Sequence, residues 1–173
     1  MSCPASRRTP LNADPLGGVP SEVVELFSDP RSVPSRVLIA YFGVFQSFHL
    51  LMNARYQFLP FASRPPLPFA PPPGGWTPQL VYFTSGMAVA DLVNAALSLA
   101  FVYGFFRQAK WSSWLGTVTL TVAAYAAFAF TWGAVMAGAP ALSWSYAWMN
   151  VPTIPVLMLF GSWSFWVLKG RVP

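Results

Sequence analysis

The residue in this sequence best suited to do chemistry is Asp91, an acid in the middle of a long apolar stretch. A carboxylate at the centre of a membrane helix is costly, and such residues are usually paired or functional. Asn94 and Ser98 follow Asp91 at i+3 and i+7, so a helix would place all three side chains on one face. The spacing therefore predicts a polar stripe on an otherwise apolar helix.

A second polar stripe occurs in the preceding apolar stretch, where Gln46, His49 and Asn53 repeat the same spacing. If the two stretches pack as antiparallel helices, Gln46 and Asp91 lie at similar depth and His49 lies about one turn away. We therefore predict that the two stripes face each other and form one polar seam, made of Gln46, His49, Asn53, Asp91, Asn94 and Ser98.

Three interpretations of this polar seam stay open. Polar side chains between membrane helices hydrogen-bond across the interface, each contributing about 0.6 kcal/mol on average, so the seam could be structural. Asp91 and His49 could instead form a proton-relay or ligand-binding pair. In the third interpretation, His49 is the axial ligand of a pigment or haem shared with a partner, since one histidine suffices for a chlorophyll magnesium.

Few residues could hold a metal or a cofactor within this chain. Cys3 is the one cysteine and His49 the one histidine, which excludes a thiolate zinc site, an iron–sulfur cluster or a bis-histidine haem held by this chain alone. No phosphate-binding or dinucleotide-binding glycine loop occurs. We therefore expect no intrinsic cofactor, no metal site and no enzymatic activity. Bound lipids, or a pigment shared with a partner, remain compatible with the sequence.

The composition defines the class of protein. Hydrophobic residues make up 55% of the 173 residues and charged residues only 9%, with a mean hydropathy of +0.49. Soluble globular proteins carry about 25% charged residues, so a soluble enzyme is excluded. Residues 111–168 contain no charged side chain. The basic residues stand singly or in pairs at the edges of apolar stretches, which is typical of membrane helices and not of a nucleic-acid partner.

The order of apolar and proline-rich segments predicts an all-α integral membrane protein folded as a four-helix bundle. Pro152 and Pro155 should bend the start of the fourth span, because each removes a backbone donor. The predicted segments are a polar proline-containing tail at 1–35, spans at 36–58, 79–106, 113–137 and 146–168, and a proline-rich loop at 59–78 between the first two spans.

Charge and tryptophan positions predict how the spans are oriented. Four spans put both termini on one side, and of the ten Lys and Arg residues all but Arg55 and Arg64 fall on that side. By the positive-inside rule, the termini face the cytoplasm, matrix or stroma. Tryptophans near the span ends predict interfacial belts. These are Trp111, Trp114, Trp163 and Trp166 on the terminal side, and Trp76, Trp144 and Trp148 on the other.

Small residues four positions apart predict close approaches between helices. They occur in the second and third spans, as Gly86 and Ala90, Ala123 and Ala127, and Gly133 and Ala137.

The four-span layout resembles the EXPERA family, the emopamil-binding and sigma-2-receptor-like membrane proteins. The shared features are short: Tyr41-Phe42, Leu59-Pro60, Asp91-Leu92-Val93, the segment 103–111, and Tyr146-Ala147 followed by Pro152. The resemblance implies a lipid- or sterol-binding protein, some family members being sterol isomerases. The family's His-x-Pro is absent, because Leu50-Leu51 follows His49, and Asn53 stands in place of its acid. Only Asp91 would carry over, as a ligand-facing acid.

The sequence favours a non-catalytic accessory subunit of a larger energy-transducing membrane complex, of respiratory, ATP-synthase or photosynthetic type. Its partners would be other membrane subunits and lipids. The alternative is an EXPERA-like intramembrane lipid- or sterol-binding protein or isomerase. A small transporter or proton channel is a third hypothesis, for which one Asp and one His provide little of the required polar path.

Overall fold

A computed structural model describes residues 29–58, 78–136 and 150–172. Within these ranges the fold is all-helical with four α-helices, which confirms the all-α part of the prediction. Residues 1–28 of the predicted tail, most of the proline-rich loop and the segment before the last helix lie outside the described residues. The helices are α1 (Val33–Phe58), α2 (Pro78–Phe106), α3 (Trp111–Met136) and α4 (Ile154–Leu168), with a 3₁₀ turn (Val151–Thr153) directly before α4.

Helix α1 begins three residues before the predicted start of the first span. Ser32 acts as its N-cap, since the Ser32 hydroxyl accepts the backbone N–H of Ser35 at 3.4 Å and its carbonyl accepts that of Arg36 at 3.0 Å. Pro34 lies in the first turn, where a missing N–H costs nothing. The proline therefore belongs to the helix and not to the preceding tail.

The two prolines near the start of α4 shape the backbone there. Pro155 has no N–H to give to the carbonyl of Val151, and that carbonyl instead accepts the N–H of Ile154, which produces the 3₁₀ turn. The hydroxyl of Tyr41 in α1 donates to the carbonyl of Pro152 at 2.8 Å. This contact ties the turn to α1.

Neighbouring helices run antiparallel. On α1 and α2, a Cβ at Gly43 would lie 3.2 Å from Val102, and Gln57 Nε2 near the other end donates to the carbonyl of Ser85 at 2.9 Å. On α3 and α4, Trp163 Nε1 donates to Thr117 Oγ1 at 3.1 Å, whereas the Thr131 hydroxyl donates to Asn150 Oδ1 at 2.7 Å. A short turn joins α2 to α3. The start of α1 and the end of α4 therefore lie at the same end of the bundle.

Aromatic rings fill the core. The Phe101 ring lies 4.9 Å from that of Trp163, and the Trp163 and Trp166 rings are 6.0 Å apart, both pairs edge to face. Trp163 and Trp166 are 1% and 0% exposed, so the prediction that they form an interfacial belt is wrong. They point inward from α4. Trp111 and Trp114 are exposed, as an interfacial position requires.

Gly116 allows this aromatic core to close. A Cβ at Gly116 would lie 2.5 Å from Trp163 Cζ2 and 2.6 Å from Phe101 Cε2, well inside van der Waals contact. Gly104 is similarly covered by the Trp111 ring. The backbones of α2, α3 and α4 therefore approach one another at glycines that the four-residue spacing pattern does not include.

Three helices contain segments long and apolar enough to cross a membrane: Val33–Arg55, Ser85–Phe106 and Val151–Leu168. Helix α3, the third predicted span, has 26 residues, but when only the described residues are considered it is not among these three. The hydroxyls of its threonines donate to the helix's own carbonyls. Thr117 bonds to Ser113 at 3.0 Å, Thr119 to Leu115 at 2.9 Å, and Thr121 to Thr117 at 2.7 Å.

Helices α2 and α4 end in the same backbone motif with different residues. Gln108 has φ of 55° and Gly170 has φ of 62°. After each of them, the next N–H reaches back to the helix, from Ala109 to the Gly104 carbonyl at 2.9 Å and from Arg171 to the Trp166 carbonyl at 2.8 Å. Glycine fits this left-handed position, whereas glutamine adopts it at a cost.

Replacing Gln108 by glycine should raise the free energy of unfolding by about 1 kcal/mol, because the left-handed backbone is then unstrained. The reciprocal change, Gly170→Gln, should lower it by a similar amount. Unfolding of both variants in mild detergent, followed by circular dichroism, measures the difference. Destabilisation by Q108G would show that the Gln108 side chain contributes more than its backbone conformation costs.

Candidate functional site

The polar seam lies where α1 packs on α2. Gln46 on α1 and Asn94 and Ser98 on α2 are buried, and His49 and Asp91 are half-buried. Asn53, nearer the end of α1, is also half-buried. Polar side chains from both helices therefore lie in one region of the α1–α2 interface. That they work together as one site stays a prediction.

His49 and Asp91 lie on neighbouring helices, about one helical turn apart along the bundle. The antiparallel register between the Gly43–Val102 and Gln57–Ser85 contacts puts Asn53 at the level of Asp91 and His49 at the level of Asn94. The Phe45 ring lies 4.4 Å from the imidazole and covers one side of it. No hydrogen bond or ion pair joins the two groups within the described ranges, so a proton relay or a shared polar ligand stays a prediction.

Ser98 differs from the rest of the seam in its hydrogen bonding. Its side chain is fully buried, and among the described residues Ser98 Oγ is the buried side-chain atom that has no hydrogen-bond partner. A buried hydroxyl without a partner costs about 1–3 kcal/mol. The polar seam therefore contains one buried hydroxyl, that of Ser98, whose hydrogen-bonding capacity is not satisfied within the described residues.

The residues predicted to mediate helix packing divide into two groups. Ala123 and Ala127 are buried inside the bundle. Gly86 and Ala90 are exposed, and a Cβ at Gly86 would meet nothing within 4 Å. Gly133 lies within α3, but its surroundings, and Ala137 altogether, are outside the described residues.

Sequence reasoning missed the glycines at the closest contacts, Gly43, Gly104 and Gly116. A usable signal was present, because a glycine in a helix interior costs about 1 kcal/mol relative to alanine and usually has a packing reason. In the described part of the chain, no group of three or more His, Cys, Asp or Glu could hold a metal ion.

The outer surface of α3 carries a second notable cluster, which we name the aromatic face: Tyr125, Phe128 and Trp132. Tyr125 is 71% exposed, and the Phe128 and Trp132 rings stack in parallel at 6.3 Å. The Tyr125 hydroxyl makes no hydrogen bond within the described ranges. The aromatic face thus combines large apolar rings with a polar group near the middle of a long helix.

Cysteines placed at 49 and 91 in a Cys3→Ser background should cross-link with a short bifunctional maleimide, because α1 packs on α2 and the two positions lie about one turn apart along the bundle. The control pair at 48 and 91 should cross-link poorly, since Phe48 is exposed on another face of α1. Gel mobility after cleavage between the helices reports the result. Equal yields from both pairs would contradict this placement.

Comparison with protein families, with curated proteins and with solved structures finds no match in any of the three. The resemblance to the EXPERA family therefore stays a prediction.

Proposed function

We propose that this chain is a multi-pass integral membrane protein, with both termini on the cytoplasm, matrix or stroma side. In this proposal it is a non-catalytic accessory subunit of a larger energy-transducing membrane complex. Respiratory, ATP-synthase and photosynthetic assemblies are the proposed class, since they contain small helical subunits of this kind.

Membrane insertion is supported by where the apolar side chains lie. Between 22% and 28% of each candidate span is buried inside the bundle. Val44 and Leu51 on α1, for example, are 71% and 70% exposed. Contiguous apolar surface of this kind is unfavourable in water and favourable in a bilayer.

The inclusion of α3 as a fourth span is supported by its length and internal hydrogen bonding. Its 26 residues rise about 39 Å, enough for a hydrocarbon core of about 30 Å. The hydroxyls of Thr117, Thr119 and Thr121 are satisfied within the helix and do not have to be left unpaired in lipid.

The orientation is supported by the described charges. Six basic residues lie at the end of the bundle where α1 starts and α4 finishes, namely Arg31, Arg36, Arg107, Lys110, Lys169 and Arg171. Arg55 is the described basic residue at the opposite end. This asymmetry fits the positive-inside rule.

The aromatic face of α3 is the observation that carries the role as a subunit. Tyr125 lies near the middle of the helix, where a lipid environment offers its hydroxyl no hydrogen-bond partner. A membrane helix of another subunit with a hydrogen-bond acceptor at that depth would satisfy it. The stacked Phe128 and Trp132 rings provide the apolar contact area beside it.

Purification from native membranes in mild detergent tests this proposal. We expect the chain to stay with other membrane subunits, in a particle much larger than its own 18.9 kDa. Isolation as a single chain in several mild detergents, with the fold intact by circular dichroism, would contradict the proposal.

Ser98 favours a second candidate, an intramembrane lipid- or sterol-binding protein. A ligand hydroxyl donating to the unpartnered Ser98 Oγ would remove the cost of burying it. A photoactivatable sterol should then label α1 or α2 in the wild-type chain and do so more weakly in S98A. Equal labelling of both proteins would count against this candidate.

A further inference from the structure

A cavity of about 180 Å³ lies at the basic end of the bundle, away from the polar seam. It is formed where the segment before α1 meets the turn between α2 and α3. Its lining comprises Pro30, Arg31, Arg36, Phe105, Phe106 and Gln108. The cavity therefore combines two guanidinium groups and an amide with the rings of two phenylalanines.

The charge around this cavity favours an anion. Arg31 and Arg36 line the cavity directly, and four more described basic residues lie at the same end of the bundle. Asp29 is the acid in this part of the described chain, and its carboxylate accepts the backbone N–H of Arg31 at 2.9 Å. The local balance remains strongly positive, which attracts anionic headgroups at a membrane surface.

Arg36 is held in position by an aromatic ring. Its guanidinium carbon lies 5.6 Å from the centre of the Phe106 ring, a cation–π geometry. A guanidinium fixed in this way loses less conformational freedom when it binds, and its planar donors match phosphate oxygens. Phe105 beneath is 7% exposed, so the inner part of the cavity is apolar.

The backbone of Gln108 also supports an anion-binding role for this cavity. It adopts φ of 55°, a conformation in which glycine would be unstrained. Strained residues of this type often occur where a side chain is used. Here the Gln108 side chain adds amide donors to the two guanidinium groups of the cavity.

We propose that this cavity binds the phosphate headgroup of an anionic phospholipid. Arg31 and Arg36 bind the phosphate oxygens, Gln108 donates to a headgroup oxygen, and the phenylalanine rings contact the glycerol and upper acyl carbons. The inference rests on the membrane placement in the proposed function, but not on the presence of partner subunits.

Native mass spectrometry of the full chain released from nanodiscs tests this site. The nanodiscs contain phosphatidylcholine alone or mixed with phosphatidylglycerol of the same acyl chains. We expect wild-type protein to retain phosphatidylglycerol at least about tenfold over phosphatidylcholine. Both lipids offer a phosphate to the two arginines, but phosphatidylcholine also brings its cationic choline to the basic end of the bundle, whereas phosphatidylglycerol keeps a net negative charge. R31Q/R36Q should lose most of that preference, and R55Q at the opposite end should keep it.

Several results would overturn the proposal. The wild type could retain both lipids equally, or R31Q/R36Q and R55Q could lose the preference for phosphatidylglycerol to the same extent. Either result would show that the lipid is attracted by the overall positive charge and not bound in this cavity. Displacement of the lipid by excess inorganic phosphate, with phosphate retained, would assign the cavity to the free anion. If R31Q/R36Q does not fold by circular dichroism, the single variants R31Q and R36Q must each reduce the preference. Failure of the wild type to insert into nanodiscs would instead contradict the proposed function.

Discussion

Replacing Gly116 by alanine is expected to lower the free energy of unfolding by about 2 kcal/mol, an overpacking effect in a closed core. The added methyl would sit 2.5 Å from Trp163 and 2.6 Å from Phe101, and both rings are fully buried. Neither can move without disturbing the edge-to-face contacts of the cluster. Reversible unfolding in detergent, followed by tryptophan fluorescence, measures the loss.

Gly161→Ala is the matched control, because Gly161 also lies inside a helix but a Cβ there meets nothing within 4 Å. This variant should be neutral or up to about 1 kcal/mol more stable, from helix propensity alone. The double variant G116A/W163F should recover part of the lost stability relative to the sum of the single changes. A G116A protein as stable as G161A would contradict the close contact of α3 with the aromatic core.

Trp132→Ala is expected to reduce association with partner subunits by about thirtyfold or more, the scale of a tryptophan that contributes at least about 2 kcal/mol at an interface. Trp132 is 57% exposed and stacks on Phe128, so its removal leaves the core of the bundle intact. Tyr125→Phe removes only the hydroxyl. It should weaken association by a smaller factor, about threefold to tenfold, as measured for hydrogen bonds between membrane helices.

Trp114→Ala is the control for the aromatic face, since Trp114 is 69% exposed on the same helix but near its other end. The yield of co-purified subunits, normalised to the yield of this chain, gives the comparison. Equal yields from W132A and W114A would show that the aromatic face does not bind the partner.

The polar positions show how far the sequence could predict the site. Polar residues are rare in these helices, so the i, i+3, i+7 spacing of Gln46, His49 and Asn53 was easy to recognise. Antiparallel neighbours then determine which stripe faces which, and the register in the structure puts Asn53 opposite Asp91 and His49 opposite Asn94. The sequence predicts Gln46 at the depth of Asp91, whereas the structure puts Gln46 at the depth of Ser98, about two turns away, because the path of the connecting loop cannot be derived from its sequence.

Burial of the tryptophans could not be predicted in the same way. Helix α4 is apolar on all sides, so no contrast between faces shows which side packs inward. Trp163 and Trp166 lie close to the basic end of their span, which is also where interfacial tryptophans occur. Whether a tryptophan at this end lies in the core or at the membrane interface is decided only by the packing of α4 against Phe101 and Gly116.

The packing glycines show a related limit. The small-residue pattern identifies pairs such as Gly86 and Ala90, which lie exposed, but does not indicate which partner reaches them. Gly104 and Gly116 each contact a bulky aromatic ring of a neighbouring helix, and neither belongs to the small-residue pairs that the spacing pattern predicts. The size of the opposing side chain decides where glycine is needed, and that requires the fold.

The central claim is that this chain works as a subunit held through the aromatic face of α3, and native mass measurement of particles from the original membrane tests it most directly. The account predicts a mass well above 18.9 kDa for the wild-type chain in mild detergent, with other membrane subunits present, and release of the single chain by Trp132→Ala. A folded wild-type chain that appears only as an 18.9 kDa species with bound lipid would contradict it.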